Sequence, residues 1–177
     1  MAYIPEVSEQ QADATLRRLY DQIRQEFGFV PHFWQAQGSR PDVVEASLQL
    51  WRTLYQQGVL PRELKEKIGL VVSATNSDSY CIRTHMELLR RMGVSEDISQ
   101  QLVLDHEAAD APENEKALFR FAKKLTLTPF EVKEADVSEL RRQGWDNAAI
   151  LETTLVVSHF NFLNRLATAL GVVPEAV

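Results

Sequence analysis

Glu66-Lys-Ile-Gly-Leu-Val-Val-Ser-Ala-Thr-Asn-Ser-Asp78-Ser-Tyr-Cys81-Ile-Arg-Thr-His85 is the stretch on which the fold reading turns. Leu64, Ile68, Val71 and Val72 fall at helical spacing and predict one helix, opened by Pro61. It runs out at Asn76-Ser77-Asp78, three residues that favour turns and caps. A second helix then carries Cys81, His85, Leu88, Leu89 and Met92 and stops at Gly93. Working upstream, Pro41 opens a helix with Val44, Leu48, Trp51 and Tyr55 on one face, closed near Gly58. Before it, Pro31-His32-Phe33-Trp34 reads as a compact aromatic connection. The pattern Ser8 to Gln11 predicts a capping box for an N-terminal helix with Leu16, Leu19, Tyr20, Ile23 and Phe27, ended by Gly28. Downstream, Ser95 caps a further helix, and Pro112 begins one containing Leu118, Phe121 and Leu125. A short helix is expected around Val137 to Arg142, ending at Gly144, and Asp146 caps the last and longest, which reaches about Leu170. No segment alternates as a strand does, and no glycine-rich linker divides the chain. The expectation is an all-α helical bundle, a single domain over residues 1–177.

Two helices share an echo. Leu70-Val-Val-Ser-Ala-Thr-Asn76 and Leu155-Val-Val-Ser-His-Phe-Asn161 agree at five of seven positions, each the same distance beyond a helix start. Such a match suits two similar helices packed about a local pseudo-twofold axis. The last helix is apolar almost all round and should be buried, yet it carries Glu152, His159, Asn161, Asn164 and Arg165. These polar groups are expected to satisfy one another or to lie in a subunit interface, rather than to bring His159 to a pocket. The helix opened by Pro41 (Trp51, Tyr55) and the last offer more apolar surface than one small core should need.

Composition removes several function classes. The formal net charge is -6, which argues against a nucleic-acid binder. The basic cluster Arg83, Arg90, Arg91 is interrupted by Glu87 and reads as a solvated helix face. Cys81 is the only cysteine, so no disulfide framework can form within the chain. Met1-Ala-Tyr-Ile-Pro-Glu6 has no basic region followed by an apolar run, so no secretory leader is expected. The apolar stretch Ala148 to Leu170 is broken by polar residues and is not a membrane span. A reducing, cytoplasmic setting follows, with no membrane partner.

Asp78, Cys81 and His85 sit at i, i+3 and i+7, on one face of a helix. Cys81 would lie in the first turn, where free backbone N–H groups favour a thiolate. His85, one turn further on, would be close enough to exchange a proton with the sulfur. Glu66 lies on the preceding helix, which must run back past this one if the turn between them is tight. Each residue also has a plainer reading. A lone cysteine is usually a small buried hydrophobe. Asp78 is well suited to be an N-cap bonded to the N–H of Cys81. His85 alone would be structural, and Glu66 alone a solvated helix residue.

The same residues, followed by Leu88-Leu-Arg-Arg-Met-Gly93, resemble the core of the alkylhydroperoxidase D family, whose pattern is a glutamate, Cys-x-x-Cys and a histidine. Glu66 matches the glutamate, Cys81 the second cysteine and His85 the histidine. Phe29-Val-Pro-His-Phe-Trp34, Phe121-Ala-Lys-Lys-Leu125 and Asn161-Phe-Leu-Asn-Arg165 resemble segments of its peroxidase-related branch, so the likeness runs along nearly the whole chain. The resemblance implies homo-oligomers, trimers or hexamers, with no cofactor and no metal. It has one departure: Asp78 stands where the family has its first cysteine. In the family the second cysteine is taken to attack peroxide and the first to resolve the sulfenic acid. A carboxylate one turn from the thiol works against the first step by repelling a thiolate, and Glu66 adds to this. A protonated His85 and the helix N-terminus act the other way.

Several functions follow from this set. The leading one is a one-cysteine hydroperoxidase. Cys81 is its nucleophile, Glu66 and His85 move the proton, and an external thiol reductant restores the sulfur. A second resembles carboxymuconolactone decarboxylase, similar in fold and lacking the cysteine pair. There His85, Asp78 and Glu66 do acid–base work on a small carboxylated compound, and Cys81 is a bystander. A third is a non-catalytic family member that binds a ligand or partner. A fourth, a metal site on Asp78, Cys81 and His85, has spacing in its favour and nothing in the resemblance.

Overall fold

The computed structural model describes residues 2–175; Met1, Ala176 and Val177, at the ends of the expected 1–177 span, lie outside the described residues. Helices α1 (Ala14–Phe27), α2 (His32–Gln35), α3 (Pro41–Gln56), α4 (Arg62–Thr75) and α5 (Ser79–Arg91) form the first half. Helices α6 (Glu96–Leu104), α7 (Glu113–Leu127), α8 (Glu134–Arg142) and α9 (Asn147–Leu170) form the second, with a 3-10 turn at Pro129–Glu131. Among the described residues there is no strand, and the expected all-α fold is what forms.

Helix α4 is the axis of the fold. It packs against α5, α6, α7 and α9, and Leu64 to Ser73 are all buried. That run includes Lys65, Glu66 and Lys67, so charged side chains are carried into the interior and must be paired there. Lys65 forms an ion pair with Glu152 of α9, and its ammonium also donates to the Leu54 carbonyl at 2.8 Å. Glu152 in turn accepts from the N–H groups of Val59 and Leu60, at 2.6 and 3.0 Å. The α3–α4 turn is thereby tied to α9. Gly58 (φ 104°) is required in that turn, since a Cβ there would meet Glu152 Oε1 at 2.0 Å.

The echo between α4 and α9 has a physical counterpart. The two helices pack together, and Asn76 and Asn161, at corresponding places in the two stretches, hydrogen-bond each other at 3.1 Å.

Four local expectations are corrected. Ser8 to Gln11 forms a turn rather than a helix start; α1 begins after Asp13, whose carboxylate accepts the Leu16 N–H at 2.8 Å. The aromatic connection contains a one-turn helix, α2. Helix α8 starts at Glu134, earlier than expected, because Asp136 folds back to accept the Lys133 N–H at 2.7 Å. The surplus apolar surface lies on the two expected helices, α3 and α9, but not on the residues expected to carry it. Tyr55 is in the core, Trp51 is partly buried, and α9 is not buried all round; on these two helices the exposed large apolar residues are Leu50, Leu151, Leu155 and Phe162. No helix among the described residues is long and apolar enough to cross a membrane.

Candidate functional site

The turn between α4 and α5 is closed by Asp78. Its Oδ1 accepts the N–H of Cys81 at 2.8 Å, which makes it the N-cap of α5. Its Oδ2 accepts the Thr168 hydroxyl at 3.0 Å, which ties the helix start to α9. Ser77, with φ 56°, makes the tight reversal that lets α5 run back along α4. Glu66 and His85 meet as a result: Nδ1 of His85 lies 2.5 Å from Oε2 of Glu66.

Glu66 is fully buried and doubly paired. Its other oxygen forms an ion pair with Arg62, one turn before it on α4. The Arg62 guanidinium lies over the rings of Tyr55 and Trp51, 4.9 and 5.0 Å from their centroids. Burial pushes the Glu66 carboxyl up, but His85 and Arg62 outweigh it and hold it below its ordinary value. The carboxylate therefore stays charged against His85. The imidazole is seated by Phe160, whose ring meets it edge-on at 4.7 Å between centroids. Phe160 itself rests on Gly69, where a Cβ would come within 1.8 Å of the ring. One glycine on α4 thus sets the position of the histidine on α5.

Cys81 is buried, and its thiol is not activated in the way its place in the helix suggests. The backbone N–H that could face a thiolate is committed to Asp78. Burial pushes the thiol strongly up, and Asp78 and then Glu66 push it further; the nearby Asn164 amide pulls it down, without reversing the balance. Nor is His85 bonded to the sulfur: among the described residues no hydrogen bond links the two, and Nδ1 of His85 is engaged by Glu66 instead. What joins them is a cavity of about 790 Å³ onto which both open.

Phe29, Phe33, Trp34, Trp51, Tyr80 and Leu163 give that cavity an aromatic and apolar wall. Arg83, Glu87, Arg90 and Arg91 stand at it too; Arg90 and Arg91 both pair with Glu87, which offsets one of the three positive charges. Neither Glu66 nor Asp78 borders the cavity; both act through the residue they hold. His159, expected to be kept from any pocket, does line it. Its Nδ1 lies 3.1 Å from the Tyr55 hydroxyl, and burial, then the neighbouring His85, push its pKa down to about 4. It is a neutral wall residue near neutral pH. Among the described residues no three or more His, Cys, Asp or Glu side chains group as a metal site would need.

Sequence reasoning missed Arg62, Phe160, Asn164 and Thr168. Arg62 could have been found from its i, i+4 spacing to Glu66. The others reach the site through tertiary packing and leave no local signal.

Residues 41–124, which span α3 to most of α7 and contain all four candidate residues, match the carboxymuconolactone decarboxylase family. A curated relative, the uncharacterized protein YdfG of Bacillus subtilis, is 26% identical over 116 residues, covering 66% of this chain and 79% of that one. The alkylhydroperoxidase AhpD core of a peroxidase-related protein from Ralstonia eutropha JMP134 is similar in structure, with a TM-score of 0.91 and 26% identity. The match covers 98% of this chain and 92% of that one. The debrominase Bmp8, as a cysteine-to-alanine variant in complex with 2,3,4-tribromopyrrole, shares the fold at 23% identity. Its TM-score is 0.85, and the match covers 98% of this chain and 92% of that one.

Proposed function

The chain belongs to the carboxymuconolactone decarboxylase family, in its alkylhydroperoxidase D-like, peroxidase-related form, and on that premise we propose that it reduces organic hydroperoxides through Cys81. The observation that carries this reading is the shared cavity: a lone thiol and a carboxylate-backed imidazole open onto one apolar space. Its size and aromatic wall suit an organic hydroperoxide better than hydrogen peroxide. The neighbouring fold that holds tribromopyrrole supports a ring-sized guest.

In the reaction, the Cys81 sulfur attacks the outer peroxide oxygen. The S–O bond forms as the O–O bond breaks, and the thiol proton ends on the leaving alkoxide. His85 relays that proton through the bound substrate, with Glu66 holding Nδ1 protonated and Nε2 free to exchange. The product is an alcohol and a Cys81 sulfenic acid. Asp78 stands in the place of the family's resolving cysteine, so resolution is external. One small thiol displaces water to form a mixed disulfide, and a second releases Cys81 and leaves as disulfide. The buried thiol is slow without substrate, since its proton leaves only when a guest completes the relay.

A second reading has one observation in its favour. The thiol is held protonated by burial and by Asp78, which is what an acid–base site with a bystander cysteine would tolerate. In that case Glu66 and His85 move a proton on a small carboxylated compound.

The experiment is hydroperoxide consumption with a small thiol as reductant, with trapping of the sulfenic acid on Cys81 followed by mass. Wild type should turn over and give a trapped adduct, and Cys81→Ser should do neither. No adduct under any thiol supply overturns the peroxidase reading. An activity on carboxylated substrates that survives Cys81→Ser and is lost in His85→Ala establishes the second.

A further inference from the structure

The residues that follow α9 reach the cavity, and the reaction above gives them no part. Gly171 ends the helix, and the Val172 N–H turns back to the Ala167 carbonyl at 3.0 Å. The Val172 side chain joins the core cluster that contains Tyr80 and Cys81. Beyond it the chain is held differently. Among the described residues the backbone of Val173, Pro174 and Glu175 makes no hydrogen bond, and Val173 is 38% exposed. Pro174 and Glu175 nonetheless line the cavity onto which Cys81 and His85 open. The rest of the lining stands on helices or on the stretch between α1 and α2.

One carboxylate holds this segment in place. Oε1 of Glu175 accepts the N–H of His32 at 2.8 Å and the hydroxyl of Tyr80 at 3.3 Å. The two donors stand on different elements. His32 is the first residue of α2, so its N–H has no acceptor within that helix. The His32 imidazole is engaged elsewhere, with Nδ1 2.8 Å from Glu6 Oε2. Tyr80 precedes Cys81 on α5, and its ring stacks on Phe33 of α2, with 6.4 Å between centroids. We infer that residues 173–175 are a strap along the cavity, clasped by Glu175 between α2 and α5, and that this clasp limits the size of guest that reaches Cys81. Glu175 is thereby a specificity-determining residue. A wall held by one side chain opens when two hydrogen bonds part, whereas a helical wall opens only with its own backbone ladder. Once the carboxylate lets go, water or the polar end of a larger guest meets the His32 N–H and the Tyr80 hydroxyl. The inference stands apart from the hydroperoxide reading, since any guest of Cys81 and His85 meets the same strap.

The test uses the only thiol in the chain, so alkylation can be read on the whole protein by mass. Two reagents of different size, iodoacetamide and a pyrene maleimide, are compared at one pH. Both attack the same thiolate, so the ratio of the bulky to the small rate cancels any change in the thiolate fraction. Glu175→Ala should raise that ratio about tenfold, the scale of one hydrogen bond to a charged acceptor. Tyr80→Phe keeps the ring on Phe33 and removes the hydroxyl, so it should raise the ratio by a smaller factor. Glu175→Gln keeps an acceptor oxygen and should fall between wild type and Glu175→Ala. A merely structural Glu175 would loosen the fold and speed both reagents together, leaving the ratio unmoved. Folded Glu175→Ala with the wild-type ratio overturns the inference, and so does a glutamine variant no tighter than the alanine. If Glu175→Ala does not fold, an unchanged ratio in Tyr80→Phe overturns it. No hydroperoxide enters the assay, so the two readings fail separately. A raised ratio in a protein that never reduces hydroperoxide keeps the strap and removes the peroxidase reading.

Discussion

Glu66 Oε2 lies 2.5 Å from His85 Nδ1, while the other Glu66 oxygen is held by Arg62, so one buried carboxylate orients the imidazole and is itself kept charged. The same carboxylate is among the groups that push the Cys81 thiol up. Its two effects on the site are therefore opposite in sign. Removing it frees the thiol slightly but strips the histidine of its partner.

Glu66→Gln should separate these effects. Turnover of an organic hydroperoxide should fall by about 10²-fold or more, the range of a lost general acid–base group. Alkylation of Cys81 should not fall, because a repelling charge has gone. Parallel losses in both assays would mean that Glu66 supports the sulfur through folding and not through His85. Removing one partner of a buried ion pair should also lower stability by about 3 kcal/mol, measurable by urea unfolding.

His159 gives a pH signature. Its folded pKa of about 4 lies below the ordinary 6.5, so the unfolded chain takes up the proton first as pH falls. The stability associated with neutral His159 is fully present above pH 6.5 and is lost progressively toward pH 4. By pH 4.5 the loss should approach about 2–3 kcal/mol. Urea midpoints of wild type and His159→Gln, compared between pH 7 and 4.5, check this. Curves that stay parallel would count against a buried neutral imidazole bonded to Tyr55.

Gly69→Ala tests how the imidazole is seated. The added methyl would fall within 1.8 Å of Phe160, which cannot yield without moving against His85. Overpacking of this kind costs about 1–3 kcal/mol. Turnover should drop more than a surface substitution of equal destabilisation would produce. An active variant of wild-type stability would show that Phe160 has room to shift.

Much of this was legible in the sequence, and the reasons are local. Pro41, Pro61, Asp78, Ser95 and Asp146 mark helix starts because capping and proline geometry act within a turn. Asp78 as N-cap and the Glu66–His85 meeting followed from spacing and one tight turn. The net state of the thiol was not legible. Spacing puts Cys81 at a helix N-terminus, but burial depends on α3, α9 and the α2 region closing over it. His159 was misplaced for the same reason. Helical periodicity shows which face a residue occupies, and only packing shows whether that face meets a partner or a cavity.

The exposed apolar residues Leu50, Leu151, Leu155 and Phe162 lie on α3 and α9. A patch of this kind is more than a lone monomer usually leaves to water. We expect a homo-oligomer through this face, as the family resemblance implies. Light scattering at micromolar concentration should give a multiple of the chain mass, and Leu155→Glu with Phe162→Glu should reduce it. A wild-type monomer would end this expectation.

Asp78→Cys asks whether one residue separates this site from a dithiol site. Positions 78 and 81 are one turn apart at the start of α5, the geometry of Cys-x-x-Cys redox motifs. The substitution removes the carboxylate that caps the Cys81 N–H and accepts the Thr168 hydroxyl. Losing the cap should cost about 1 kcal/mol, with a further fraction for the bond to Thr168. In exchange, the thiol of Cys81 loses its nearest repelling charge and gains a neighbour able to resolve a sulfenic acid. The expected product is a reversible disulfide between positions 78 and 81, and faster hydroperoxide consumption with a dithiol reductant than wild type shows. Asp78→Ala separates the two contributions, since it removes the charge and adds no sulfur; it should speed alkylation of Cys81 and form no disulfide. Mass analysis under peroxide, before and after reduction, reads both variants. If Asp78→Cys folds and both thiols titrate, yet peroxide yields no disulfide, then Cys81 is not presented to peroxide at all. The acid–base reading of Glu66 and His85 would then take precedence.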